Sequence, residues 1–107
     1  MIELPFPPAS LNPNKRIHWA SKAKAFKAYK LSCFAILSQF RDELQGRAAF
    51  SLTFRPPDAR RRDADNLLAA SKASIDALSH VTGVDDSKFC FTISMGSPRA
   101  GGAVVLE

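Results

Sequence analysis

Residues 48–67 read AAFSLTFRPPDARRRDADNL, and this stretch decides the fold of the chain. Its first part, residues 48–54, alternates large apolar side chains with small or polar ones, which is the period of a half-buried β-strand. The prolines at positions 56 and 57 end that strand, because proline cannot continue a central strand. Acidic residues then precede an apolar-periodic segment from Leu67, as is typical of a helix start. The stretch therefore predicts a strand, a basic loop and a helix in direct succession.

The other elements are predicted from apolar periodicity on either side of this stretch. Apolar residues spaced by three and four predict one helix from about Ser21 to near Gly46, and a second from Leu67 to about Val81 with Gly83 as its stop. Three more strands are predicted, at residues 1–6, around 89–93 and at 103–106. The order β-α-β-α-β-β predicts a small α+β fold for residues 1–107, a single domain with a mixed sheet and two main helices.

Composition sets the broad class of protein. An apolar fraction of 46% in 107 residues is typical of one globular domain. Fifteen basic against ten acidic residues give a net charge of +5, which is compatible with a polyanionic partner and does not require one. Cys33 and Cys90 are too few for a disulfide scaffold, so a reduced, cytoplasmic compartment is expected. No apolar run is long enough to suggest a membrane partner.

The residues best suited to bind metal or phosphate are concentrated in the run Arg60-Arg61-Arg62-Asp63-Ala64-Asp65-Asn66. Carboxylates next to guanidinium groups suit a site that holds both a divalent metal and phosphate. The alternative for Asp63 and Asp65 is helix capping, since aspartate is favoured at helix N-termini. A third ligand is expected from Asp85 or Asp86, provided that the strand after Gly83 pairs beside the strand ending near Phe54 and the two ends converge.

Lys72 is a second candidate for the site. Seven residues separate it from Asp65, about two helical turns, so the two share a helix face roughly 10 Å apart along the axis. One interpretation is a surface pair between Lys72 and Asp76, four residues on. The other places the ammonium group beside a scissile phosphate, where it would stabilise developing negative charge.

A basic segment precedes and enters the first helix. No acidic residue occurs between Pro5 and Phe40. The segment is either a solvated helix face or a phosphate-binding surface. His18 and Trp19 either pack against the protein or stack on nucleic-acid bases. The candidate nucleic-acid ligands here are Asn14, Lys15, Arg16, Lys22 and Lys24, which would act with Arg60, Arg61 and Arg62.

These residues together resemble the RusA family of Holliday-junction resolvases. The resemblance rests on LPFPPAS at residues 4–10 followed by Asn12, PDARRRDADNL at 57–67, DAL at 76–78 and GVDD at 83–86. The pieces occur in family order and span most of the chain. The family places a lysine four residues beyond its second aspartate, where this chain has Ala69, and Lys72 follows one turn later.

The resemblance implies a homodimeric, Mg²⁺-dependent endonuclease of bacterial or phage origin that nicks four-way DNA junctions symmetrically. It implies Asp63, Asp65 and Asp86 as the metal ligands and catalytic carboxylates. It also implies a catalytic lysine, for which Lys72 would be the stand-in. Mn²⁺ is an alternative ion, and no small-molecule cofactor is expected. Two alternatives remain open: a branched-DNA-binding protein that has lost catalysis, and a metal nuclease acting on other branched DNA.

Overall fold

The computed structural model describes all 107 residues and confirms a small α+β fold. The four strands are β1 (Ile2–Leu4), β2 (Ala49–Arg55), β3 (Cys90–Met95) and β4 (Ala103–Leu106). The four α-helices are α1 (Trp19–Ser38), α2 (Arg41–Leu44), α3 (Ala64–Ala70) and α4 (Lys72–Thr82). Short 3-10 turns occupy Ala9–Leu11 and Asp86–Lys88. No helix combines the length and the apolar character that a membrane crossing requires.

The strands form one mixed sheet in the order β1-β4-β2-β3. β4 runs antiparallel to both of its neighbours, β1 and β2. β3 runs parallel to β2, with Ala49 opposite Cys90 and Phe54 opposite Met95. Parallel neighbours need a crossover, and α3 and α4 supply it. The residues that leave β2 and those that enter β3 therefore lie at opposite ends of this strand pair.

The core lies between the sheet and the helices α1 and α4. The predicted alternation in β2 is confirmed, because Phe50, Leu52 and Phe54 are buried whereas Ala49 and Ser51 are exposed. The spacing of three and four in α1 buries Tyr29, Cys33 and Leu37 against the same core. The Tyr29 hydroxyl donates a 2.7 Å hydrogen bond to the Pro5 carbonyl and so attaches α1 to the loop after β1.

The structure divides both predicted helices. The first begins at Trp19 and is interrupted at Gln39 and Phe40 before α2, so one continuous helix to Gly46 is wrong. The second begins at Ala64 rather than Leu67. The predicted stop at Gly83 is confirmed, since Gly83 adopts the left-handed conformation (φ +74°) that glycine tolerates best.

Ser71 separates α3 from α4. Its backbone (φ −88°, ψ 4°) leaves the helical region, and its side chain is fully buried with a hydroxyl that has no hydrogen-bond partner. The Ser74 hydroxyl donates to the Ser71 carbonyl at 2.6 Å, a local bond of the kind that competes with regular helix hydrogen bonding. An angular count from Asp65 to Lys72 therefore does not pass through one regular helix, and the predicted shared face loses its geometric basis.

Candidate nucleic-acid interface and active site

Most of the arginine–aspartate run lines a cleft beyond the end of β2. The cleft has a volume of about 440 Å³ and opens to solvent. Its apolar wall comes from the loop after β1, from Pro57 and from α3, and its polar rim comes from the residues between β2 and α3. The wall includes Phe6, Pro7, Pro57 and Leu67, and the rim includes Arg60, Arg61, Arg62, Asp63 and Asn66. The cleft thus combines basic and acidic groups around an apolar surface.

Asp58 organises the loop that carries the arginines. Its Oδ1 accepts a hydrogen bond from the Arg60 backbone N–H at 3.0 Å, which closes a local turn typical of aspartate. The same atom accepts from the Arg62 guanidinium at 2.8 Å, and the Arg60 guanidinium bridges both carboxylate oxygens. These hydrogen bonds from Arg62 and then Arg60 hold the pKa of the Asp58 carboxyl well below its usual range. Sequence reasoning did not single out Asp58, although its spacing of two and four residues from the arginines was a usable signal.

The three arginines consequently differ in role. Arg62 also donates to the backbone carbonyls of Asp58 and Arg60, its guanidinium carbon lies 5.9 Å from the centre of the Phe6 ring, and its side chain is only 19% exposed. Arg62 therefore mainly holds the loop in shape. Arg60 shares Asp58 but stays open to solvent, and Arg61 is exposed without an ion pair. Arg61, with Arg60 as a second contributor, is the guanidinium most available to an incoming phosphate.

The first acidic pair leaves its carboxylates free. Asp63 stands at the N-cap position of α3, and its carbonyl accepts the Leu67 N–H at 3.1 Å. Its side chain, however, makes no capping hydrogen bond. Asp65 lies in the first turn of α3, and neither carboxylate forms an ion pair. Side-chain capping therefore does not account for Asp63, and both groups are exposed and available as ligands.

The carboxylates of the second acidic pair, Asp85 and Asp86, make different contacts. The Asp85 side chain caps the 3-10 turn Asp86–Lys88 by accepting the Ser87 N–H at 2.9 Å, and this bond lowers the pKa of Asp85. Asp86 instead places its Oδ2 4.0 Å from the Lys72 Nζ. The pair between Lys72 and Asp76, one of the two interpretations of this lysine, is not formed. The structure thus brings Lys72 to Asp86, whose carboxylate is the less occupied of the two.

The two acidic pairs do not meet in a ready-made ligand cluster. β3 pairs beside β2, as the site prediction required, but the parallel direction sends the chain entering β3 to the far end of the pair. No three aspartate, glutamate, histidine or cysteine side chains lie close enough together to hold one ion. The two strand ends therefore lie apart, whereas Asp86 itself reaches back to Lys72 at the start of α4. The assignment of Asp63, Asp65 and Asp86 to one centre stays a prediction.

The basic segment is exposed, as a partner-binding surface requires. Asn14, Lys15, Arg16 and Lys24 lie on the surface, and Lys22 is half-buried. Trp19 begins α1 and is 77% exposed, so it does not pack in the core. His18 caps the helix by accepting the Ala20 N–H at 3.2 Å, and its ring stacks on Trp19 with centroids 5.7 Å apart.

Comparison with known proteins adds a relative without an assigned activity. No protein-family model matches the chain. The chain is similar to an uncharacterized protein of Xylella fastidiosa, with 33% identity over 93 residues. The match covers 82% of this chain and 61% of the relative, so the chain spans about three-fifths of that protein's length.

Proposed function

We propose that this protein is a RusA-like, metal-dependent endonuclease that resolves four-way DNA junctions by paired symmetric nicks in recombination and repair. The observation that carries the proposal is the cleft rim, where the free carboxylate of Asp63 adjoins the exposed guanidinium groups of Arg60 and Arg61. The free carboxylate of Asp65 follows two residues later, in the first turn of α3. Unpaired like charges two residues apart repel each other, and a cation between them removes that cost. The resemblance of the surrounding residues to the RusA motifs supplies the reaction class.

The donor chemistry of the first acidic pair fits Mg²⁺, with Mn²⁺ as an alternative. Mg²⁺ is usually held by one or two carboxylates, with waters and substrate phosphate oxygens in the remaining positions. Asp63 and Asp65 would supply those carboxylates, and Asp86 is the proposed third. Once bound, the ion would neutralise phosphate charge and lower the pKa of a bound water.

The protein's own side chains would position the DNA. Arg61 and Arg60 bind phosphate oxygens at the cleft, because guanidinium matches phosphate geometry with two parallel hydrogen bonds. Lys72 stabilises negative charge at the scissile phosphate, and Asp86, 4.0 Å from it, keeps its ammonium group oriented. The exposed basic residues before and on α1 bind flanking phosphates, which makes affinity fall steeply with salt.

A homodimer follows from the symmetry of the proposed reaction. A four-way junction presents two equivalent strands, and paired nicks need two active sites in a fixed relation. A two-fold dimer is the simplest assembly that provides them.

The second candidate is a branched-DNA-binding protein without catalysis. The exposed basic residues before and on α1 favour it, because they can bind backbone phosphates without any catalytic carboxylate. It would use the same exposed basic surface and leave the carboxylates without a catalytic task. A nuclease acting on other branched DNA differs from the junction-resolving enzyme only in its substrate.

The proposal is tested by measuring junction cleavage by the Asp63→Asn variant. The substitution keeps the size of the side chain and removes the charge, so nicking of a synthetic four-way junction in Mg²⁺ should fall below detection. Junction binding should be retained or strengthened, because a carboxylate that repels phosphate is lost. Asp42→Asn is the matched control, since Asp42 is an exposed carboxylate on α2 that does not line the cleft.

Three outcomes decide between the candidates. If the Asp63→Asn variant nicks the junction at the wild-type rate, the assigned site is refuted. Tight junction binding without metal-dependent nicking by the wild type selects the non-catalytic candidate. Faster cleavage of flaps or linear duplex than of junctions selects a nuclease with another substrate.

A further inference from the structure

An exposed aromatic platform stands at the start of α1. Trp19 is 77% exposed, and His18 stacks on it at a ring-plane angle of 29°. The His18 Nδ1 accepts the Ala20 N–H, so the helix start itself holds this ring in place. A large aromatic side chain left in water gives up the free energy that burial would supply, and such residues commonly mark a contact surface. The platform is therefore fixed in place and unoccupied by the protein's own side chains.

A groove beside the platform has a mixed chemical character. Its volume is about 500 Å³, and it lies between the start of α1 and the α3–α4 junction. Apolar side chains form most of the lining, two lysines stand within it, and no acidic residue lines it. The main contributors are Leu11, Pro13, Trp19, Phe26, Lys22 and Lys72. A ligand that fits must be flat and apolar on one part and negatively charged on another.

We propose that this groove binds one unpaired nucleotide of a DNA strand, with its base stacked on Trp19 and its phosphate on Lys22 and Lys72. Bases stack on aromatic side chains regardless of sequence, and a positively charged groove tracks the backbone. This binding site extends the proposed function, and only its position beside a scissile phosphate rests on that function. Lys72 is shared between this groove and the Asp86 contact, so the stacked base would neighbour the scissile phosphate.

Charge argues against a second copy of this chain as the occupant. A two-fold contact places the same patch on both subunits. Lys22 and Lys72 would then face their own equivalents, and the groove lining offers no carboxylate to compensate. A polyanionic strand meets no such repulsion. The net charge of +5 favours the same class of partner.

Intrinsic fluorescence reports on this groove directly, because Trp19 is the only tryptophan of the chain. Titration of the wild type with a short oligothymidylate, without metal, should quench the emission, since stacking places the base against the indole. A junction with unpaired nucleotides at its centre should also quench it. A blunt linear duplex should quench it much less, because its bases are stacked on one another.

Three variants, compared by anisotropy of a labelled oligothymidylate, test the contribution to affinity. Trp19→Ala should weaken binding by about 5- to 150-fold, the range expected when one base–aromatic stack is removed. Trp19→Phe should retain most of the affinity. Leu31→Ala is the matched control and should bind like the wild type, since Leu31 is 60% exposed on the same helix but does not line the groove. Circular dichroism and denaturant unfolding verify that each variant folds.

Wild-type affinity in Trp19→Ala, or unchanged emission on binding, overturns the inference. Sedimentation adds a third decisive outcome: a dimer that Trp19→Ala converts to monomer, with DNA affinity unaffected, assigns the platform to self-association. Because these measurements need neither metal nor cleavage, they are independent of the nuclease test. If the base stacks on Trp19 but no DNA is cleaved, this inference holds and the proposed nuclease activity is refuted. If DNA is cleaved but no base stacks on Trp19, the nuclease activity holds and this inference is refuted.

Discussion

Lys72→Ala separates a catalytic lysine from a structural one. In the proposed mechanism the Lys72 ammonium group stabilises negative charge at the scissile phosphate, and its nearest carboxylate is that of Asp86. A merely structural Lys72 would contribute only its ion pair with Asp86. The two roles predict effects of different size on two different measurements.

The structural contribution follows from the geometry of the pair. The atoms Lys72 Nζ and Asp86 Oδ2 are 4.0 Å apart, and the two side chains are 65% and 42% exposed. Unit charges at this separation interact by about 1 kcal/mol in water, and exposed ion pairs contribute about 0.2–1 kcal/mol. Solvent screening at these exposures places the pair toward the lower part of that range. The free energy of unfolding should therefore fall by less than about 1 kcal/mol.

The catalytic contribution would be larger. Removing one group that stabilises transition-state charge typically costs about 10²–10³-fold in rate, which corresponds to about 2.7–4 kcal/mol. The assay is the single-turnover rate of junction nicking at saturating protein, with urea unfolding of the same preparation. Arg41→Ala is the control, because it removes one exposed positive charge from α2, outside both the cleft and the groove. A Lys72→Ala rate within about threefold of the Arg41→Ala rate, while Asp63→Asn is inactive, would refute the catalytic role.

Two further predictions concern the loop and the helix break that shape the site. Ser71→Ala should raise the free energy of unfolding by about 1–2 kcal/mol, because it removes a buried hydroxyl that has no hydrogen-bond partner. A lower free energy of unfolding in denaturant would contradict this expectation. Asp58 should remain ionised below its ordinary pKa of about 3.9, since Arg62 and Arg60 donate to it. Its lowered folded-state pKa means that its stabilisation is present above the ordinary value and is lost as pH falls through the folded-state value. Carboxyl-carbon NMR titration checks this, and an ordinary pKa for Asp58 would contradict the loop structure.

Local patterns predicted the interior of most elements. The alternation of Phe50, Leu52 and Phe54 was recoverable because a half-buried strand repeats every two residues. The strand Ala103–Leu106 was recoverable as a short apolar run after a turn, and all four of its residues are buried. The end of α4 at Gly83 was recoverable because only glycine adopts the required φ without strain. The break at Ser71 was not, because the residue is ordinary in a helix and its conformation depends on the buried surroundings into which it packs.

The candidate site divides in the same way. Sequence identified the carboxylates and the basic residues, since residue type and spacing carry that information. It did not identify the binding of Arg62 and Arg60 by Asp58, which distinguishes the loop-holding arginine from the exposed ones. It also left open which of Asp85 and Asp86 is free. The structure places the Asp85 carboxylate on the Ser87 N–H and the Asp86 carboxylate beside Lys72.

By itself, the sequence determined the class of fold, the positions of the strands and the set of charged groups available for chemistry. These properties follow from side-chain type and from periodicities of two and about 3.6 residues, which are local to each segment. The tertiary structure decided which of those groups meet. Parallel pairing of β2 with β3 requires the crossover through α3 and α4, and the packing after that crossover brings Asp86 to Lys72. Exposure of Trp19 beside Lys22 and Lys72 likewise depends on how α1 packs against the α3–α4 junction, a long-range arrangement that no local pattern specifies.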